Sequence, residues 1–250
     1  MLDPELYDLV HTGTPGDVEH YVRLVGARRV LELGCGSGRV LVAMARAGAR
    51  ATGLEHDPGM IAGARARVAR APREIAERIT LVEADMARFS LGRHFDRIVA
   101  PFASLYCLLS RERVAACFER VRAHLVPGGL FAFDGYAADE FHERSRPSDY
   151  PDDVLEEVAK VTHRGEVLTV FEKSRWDRAR QRVDATYLYV GRDGRVRHEA
   201  VIGHRYLRRR EIEPLLERAG LELVSVAGGF AGEPYEGRRG SLVVIARRPR

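Results

Sequence analysis

The chain predicts an α/β fold with an antiparallel β insertion after the fifth strand, and three observations carry that prediction. Apolar strand patterns alternate with amphipathic helical patterns through the first half of the sequence. A glycine-rich turn, Gly34-Cys35-Gly36-Ser37-Gly38, joins the strand Val30–Leu33 to a helix running from Ser37 to Ala47. Beyond residue 136 the pattern changes to four alternating stretches separated by short polar turns, the mark of an antiparallel meander.

Length and composition suit that class. A chain of 250 residues holds one α/β domain and an insertion, with a substantial core. Hydrophobic residues make up 45% and charged residues 30%, an ordinary balance for a water-soluble domain. No apolar run approaches the length of a membrane helix, so neither an anchor nor a signal peptide is expected. Cys35, Cys107 and Cys117 are odd in number and form no C-x-x-C pair. A disulfide framework and a zinc site are therefore not indicated, and a reducing cytoplasm fits. The net charge of +4 is mild, and basic residues alternate with acidic ones as on solvated helix faces. Lys160 and Lys173 are the only lysines, and neither stands in a G-K-[ST] loop, which excludes a P-loop nucleotidase.

The elements follow in order. Asp3-Pro4-Glu5 opens a helix to about Val10, and Thr14-Pro15-Gly16-Asp17 opens a second to about Val25. Arg50–Leu54 is the second strand, and Asp57 caps a helix from Pro58 to about Ala71. Ile79–Glu83 and Phe95–Ala100 are the third and fourth strands. Ser110 caps a helix to about Leu125, and Pro127-Gly128-Gly129 turns it into the fifth strand, Leu130–Phe133. Arg144–Asp153 is a polar loop, followed by strands Val158–His163, Val167–Trp176, Arg182–Val190 and Val196–Gly203. Glu211–Ala219 is a helix with Pro214 in its first turn, and Leu221–Val226 and Ser241–Ala246 are the last strands.

Glycines at alternate positions let a ligand approach the backbone, and the helix beyond presents free N–H groups. The spacing is G-x-G-x-G, whereas the dinucleotide fingerprint is G-x-G-x-x-G, which argues against a nicotinamide dehydrogenase. Glu55 falls 21 residues after Gly34 at the end of the second strand, where a carboxylate suits two ribose hydroxyls.

Glu32-Leu33-Gly34-Cys35-Gly36-Ser37-Gly38 resembles the first motif of the class I S-adenosylmethionine (SAM) dependent methyltransferases. Ala84-Asp85-Met86, at the end of the third strand, resembles the adenine contact of that family, and the Pro-Gly-Gly turn is a further likeness. The resemblance implies a Rossmann-like sheet of seven strands with the last antiparallel. It implies SAM as cofactor, with S-adenosylhomocysteine as product. It also implies a cofactor site of Glu32, Gly34, Cys35, Gly36, Gly38, Glu55, His56, Met60, Asp85, Met86 and Pro101, with Met60 over the adenine or else in the core. Residues 1–136 and 204–250 then form the SAM-binding domain, and 137–203 a β-rich insertion that acts as a lid or a dimerisation element.

Ligands of open α/β sheets bind beyond the carboxyl ends of the strands. Phe102, Tyr106 and Tyr136 are accordingly substrate-side candidates, with Asp134 and Gly135 beside them. His204 and Arg205 join them at the return from the insertion, to recognise an anionic or polar group. Tyr7, His11 and Tyr106 are the candidate bases. The first two helices of such enzymes lie over the cofactor pocket, which makes Tyr7, His11 and Tyr21 candidates for the cofactor or substrate side; alternatively the tyrosines pack these helices on the core and His11 faces solvent. Ala100-Pro101-Phe102-Ala103 departs from the Asn-Pro-Pro-Tyr type tetrapeptide of enzymes that methylate planar nitrogens, which lowers a nucleic-acid base reading. The insertion resembles that of small-molecule N-methyltransferases, so the first expectation is methyl transfer to a small amine or hydroxyl. An RNA or protein methyltransferase, using the basic run Arg205–Arg210, is the second reading, though that run also reads as a solvated helix start. A catalytically inactive SAM-binding protein is the third.

Overall fold

The computed structural model describes residues 3–149, 151, 154–238 and 240–250. Two helices, α1 (Pro4–Val10) and α2 (Asp17–Val25), precede β1 (Arg29–Leu33), α3 (Arg39–Arg46), β2 (Arg50–Glu55) and α4 (Pro58–Ala69). The short α5 (Arg73–Ala76), β3 (Ile79–Glu83), β4 (Phe95–Ala100), α6 (Arg111–His124), β5 (Leu125–Tyr136) and α7 (Asp139–Arg144) follow. The insertion strands are β6 (Glu156–His163), β7 (Glu166–Asp177), β8 (Arg182–Val190) and β9 (Val196–Arg205). The chain closes with α8 (Arg209–Arg218), β10 (Glu222–Ala227) and β11 (Ser241–Arg247).

Seven strands form one sheet in the order β10-β11-β5-β4-β1-β2-β3, and β6–β9 form a separate antiparallel sheet in sequence order. Within the large sheet only β11 runs antiparallel to its neighbours, β5 and β10. The crossover at β1, between β4 and β2, leaves a crevice at the strands' carboxyl ends. Both faces of the sheet are covered. Leu31 and Leu33 of β1 and Phe131 and Phe133 of β5 point into one core, while Val30 and Ala132 point into the other. That period of two is the strand pleat. A third cluster packs Leu6 of α1 against Val161, Leu168, Val170 and Tyr189, so α1 seats the insertion sheet.

Three local expectations are corrected. The strand β5 is assigned from Leu125, with Val126–Gly129 bulging out: Phe95 pairs with Leu125, whereas Arg97 pairs with Leu130. The helix α8 starts two residues early, because the Glu211 carboxylate accepts from the Arg208 backbone N–H at 3.1 Å and caps it there. Pro214 therefore lies in the helix interior, not its first turn. The run Arg205–Arg210 is not a solvated helix start: Arg205 and Arg208 are 7% and 4% exposed. Arg205 pairs with Glu211 at 2.8 Å and Arg208 with Glu143 at 2.9 Å, which removes both from any nucleic-acid patch. Among the described residues no helix is long and apolar enough to cross a membrane.

Candidate active site

A cavity of about 1000 Å³ opens at the carboxyl ends of β1, β2, β4 and β5 and continues under the inner face of the insertion. On the large-sheet side the turn after β1 forms its floor. Gly34 and Gly36 have φ of +64° and +53°, values that glycine alone adopts cheaply. A Cβ at Gly34 would come within 2.8 Å of the Ser104 Cβ, and one at Gly36 within 3.3 Å of the Met60 methyl. The turn is thus bare backbone pressed between side chains.

Three carboxylates surround it. Glu55 accepts from the backbone N–H groups of Gly36 (2.8 Å), His56 (2.7 Å) and Asp57 (2.9 Å), which fixes its head group at the end of β2. Glu32 is 2% exposed, and its Oε2 has no hydrogen-bond partner. Burial raises its pKa well above the usual carboxylate range. An unpartnered buried carboxylate oxygen asks for a donor, and a cationic one best. Asp134 accepts from the Tyr21 hydroxyl at 2.6 Å and from the Phe102 N–H at 2.9 Å. Burial raises its pKa to about 6. Arg39 reaches the same region but is held by two bonds to Asp17, at 2.9 and 2.5 Å.

The other side is aromatic. Tyr7 stacks on His11 at 4.2 Å, and His11 makes T-shaped contacts with Tyr187 at 4.9 Å and with Phe102 at 6.5 Å. His11 Nδ1 lies 3.2 Å from the Tyr7 carbonyl, so Nδ1 carries the proton and Nε2 is the basic nitrogen. Burial lowers the His11 pKa, with Glu172 and Asp8 pulling the other way. His204 is pushed down to about 4 by burial and by His11. Both imidazoles are therefore neutral at neutral pH.

Of the residues singled out from sequence, Tyr7, His11, Glu32, Gly34, Cys35, Gly36, Glu55, Met60, Met86, Pro101, Phe102, Tyr136 and His204 line this one cavity. Others do not. Tyr106 is fully buried, its hydroxyl donating to the Tyr136 carbonyl at 3.1 Å, and has no access to a substrate as base or contact. Arg205 is turned away into its pair with Glu211. The Asp85 carboxylate is taken by Arg113 at 3.0 and 3.1 Å and by the Ala87 N–H, and only its neighbour Met86 lines the cavity. His56 is exposed and contributes its backbone N–H to Glu55. Gly38 begins α3, with the Ala64 Cβ packed beside it.

Sequence reasoning missed Glu172, Trp176 and Tyr187, which the insertion brings into the cavity. Their signal was the strand alternation: β7–β8 pairing places Glu172 opposite Tyr187 and Trp176 opposite Val183 on one face. The hidden part was which face turns inward.

The glycine cradle, the orphaned Glu32 oxygen and the Glu55 head group together fit a ligand with an ammonium, a ribose and a flat base, as SAM has. Residues 30–129 match the methyltransferase domain family. The chain is 29% identical over 238 residues to a dTDP-3-amino-3,6-dideoxy-alpha-D-glucopyranose N,N-dimethyltransferase from Streptomyces fradiae, covering 91% of this chain and 87% of that one. It is 28% identical to a cypemycin N-terminal methyltransferase from a Streptomyces species, covering 98% and 95%. In fold it resembles the CcbJ methyltransferase from Streptomyces caelestis, with a TM-score of 0.83 at 24% identity, covering 99% and 96%. The seven-stranded sheet with its single antiparallel strand, the methyltransferase domain over residues 30–129 and these relatives together support a class I SAM-dependent methyltransferase.

Proposed function

We propose that the protein methylates the nitrogen of a small-molecule amine. The observation that carries this reading is the neutral His11, its Nε2 free, in an aromatic-lined cavity next to the cofactor cradle. The relatives support it in kind: their names record transfer to a sugar amine and to a peptide N-terminus.

SAM, when bound, supplies a methyl group already activated by its sulfonium. The chain's own residues do the rest. Glu32 would receive the ammonium of the cofactor's methionine part, the bare Gly34–Gly36 turn would take its main chain, and Glu55 would accept from the ribose hydroxyls. Met60 and Met86, both lining the cavity, would flank the base. On the acceptor side an amine arrives protonated and must present a lone pair. His11 Nε2 takes that proton, leaving the electron pair on nitrogen, and Glu172 stabilises the imidazolium that results. Tyr7, Phe102 and Tyr136 hold the acceptor and exclude water, so positioning supplies much of the rate. The insertion is a lid: α1 seats it, and its inner face closes the acceptor half of the cavity.

Mass spectrometry on reactions with methyl-deuterated SAM and matched panels of amines and alcohols tests the reading. A product heavier by one labelled methyl group, with amines only, is the expected result. Labelled ethers from the alcohol panel, with amines untouched, would overturn it.

A further inference from the structure

The acceptor half of the cavity has a chemical sign of its own. Its wall is the inner face of β6–β9, and the strand register defines that face row by row. Glu156, Glu172, Tyr187 and Ala200 form one row, Ser174, Ala185 and Ile202 the next, and Trp176, Val183 and His204 the third. Among the described residues three carboxylates from the insertion segment line the cavity, Asp149, Glu156 and Glu172. Glu172 is the most organised of them. Its Oε1 accepts from the Ser174 hydroxyl at 3.0 Å, and the Tyr187 hydroxyl donates to the same carboxylate. His11 stands against the Tyr187 ring.

Cations are scarce there. Among the described residues lining the cavity, Arg39 and Lys173 are the only Arg or Lys side chains. Arg39 is committed to Asp17 by two bonds. Lys173 belongs to the row of Thr186 and Val201, whose Val201 is 57% exposed on the far face of the sheet. Both histidines are neutral. A nucleotide diphosphate is bound by arginine forks, lysines or helix N-termini, which offset its desolvation. This wall offers none of them, and its carboxylates would repel such a group across a low-dielectric cavity. Carboxylates interleaved with Tyr7, Tyr187 and Trp176 rings suit the opposite charge, since a ring face attracts a cation.

We propose, resting on the amine reading above, that the acceptor is a phosphate-free amine that enters as a cation, and that Glu172 is the residue that selects it. Glu172 gathers the ammonium into the aromatic half of the site, beside Tyr187 and His11. Nucleotide-diphosphate-linked amines are rejected by the same wall.

Two probes that differ only in the diphosphate test this: methyl 3-amino-3-deoxyglucoside and dTDP-3-amino-3-deoxyglucose. Calorimetry on the protein saturated with S-adenosylhomocysteine is expected to find the glycoside bound at least about tenfold more tightly. Added salt should weaken the glycoside, because opposite charges attract less when screened. Glu172→Gln should cost the glycoside about tenfold without changing S-adenosylhomocysteine affinity. Glu199→Gln, on the opposite face of the same sheet, should cost nothing. Equal or tighter binding of the dTDP probe, no binding of the glycoside, or an unchanged affinity in Glu172→Gln would each overturn the proposal. Methyl transfer to both probes separates the two levels of failure. Turnover that favours the dTDP probe leaves the amine reading standing and removes the selection proposal. Failure of both probes and of the whole amine panel, in protein that still binds SAM, removes the amine reading itself.

Discussion

The Tyr21 hydroxyl donates to Asp134 across 2.6 Å in a fully buried position, tying α2 to the carboxyl end of β5. The same Asp134 oxygen accepts from the Phe102 N–H, and the Ala103 N–H donates to the Asp134 carbonyl. Phe102 and Ala103 both have positive φ, at 53° and 56°, a strained pair that needs such an anchor. Asp134 thereby clamps the loop that carries Phe102 into the cavity.

That clamp has a pH signature. Burial raises the Asp134 pKa from 3.8 to about 6 in the folded protein. Between those values the folded chain holds a proton that the unfolded chain has released. Unfolding free energy attributable to this group is thus full below pH 4 and falls as pH rises through 6, by on the order of 3 kcal/mol. Asp134→Asn keeps an oxygen for both donors and removes the titration. Denaturant melts of the ligand-free protein at pH 4.5 and 7.5 should show a smaller difference in the variant than in the wild type.

Glu55→Gln should weaken SAM binding by 10- to 100-fold, since hydrogen bonds to a charged acceptor are worth about 1.5–3 kcal/mol each. The glutamine keeps an acceptor for only one set of backbone donors, His56 and Asp57 on one oxygen or Gly36 on the other, so the melting temperature should fall as well and affinity is compared on the folded fraction. Calorimetry that returns wild-type affinity would remove Glu55 from the ribose.

Gly34→Ala attacks the cradle itself. The φ of +64° and the 2.8 Å approach to Ser104 make the new methyl group unaccommodated on two counts. We expect a loss of stability of about 1–3 kcal/mol and loss of SAM binding. Because the fold is then partly at stake, thermal shift with added S-adenosylhomocysteine is the readout, and a wild-type shift would show that the turn does not touch the ligand.

The two sequence-nominated bases that the structure separates make a matched pair. His11 lines the cavity with a free Nε2, whereas the Tyr106 hydroxyl is sealed against the Tyr136 carbonyl. His11→Gln should lower kcat/KM by about 100-fold or more and abolish the fall in rate as pH drops below the His11 pKa, which burial holds under 6.5. Tyr106→Phe should stay within a few-fold of wild type. Reversal of that order across a pH-rate series would return the proton transfer to Tyr106.

What could be read from the chain alone follows from which physics is local. Strands, caps and the glycine turn are short-range: Asp57 caps α4 and Ser110 caps α6 where the sequence puts them. The meeting of the glycine turn with Glu55 was legible for the same reason, since strand ends in an open parallel sheet fix where the two must come together. Tyr106 and Arg205 went astray because exposure is a long-range property. Nothing near Arg205 in sequence announces that Gln181 and Glu211 will close around it, with the Gln181 amide 2.6 Å from the same carboxylate. Glu172 and Tyr187 were hidden likewise, because alternation sorts a strand into two faces without saying which one meets the cavity.

That ambiguity sets up the last prediction, which separates a lid from a dimerisation sheet with two adjacent residues. Val201 is 57% exposed on the outer face of β9, and Ile202 lines the cavity on the inner face. A buried arginine in the acceptor half would fill the space and take the carboxylates that face the acceptor, whereas one on the outer face meets water. If the insertion works as a lid, Ile202→Arg abolishes methyl transfer while SAM affinity survives, and Val201→Arg leaves kcat/KM within about twofold. If the outer face instead joins two copies and activity depends on that contact, Val201→Arg is the damaging change. It would then shift the protein to monomers in sedimentation and lose turnover, and Ile202→Arg would be the milder of the two.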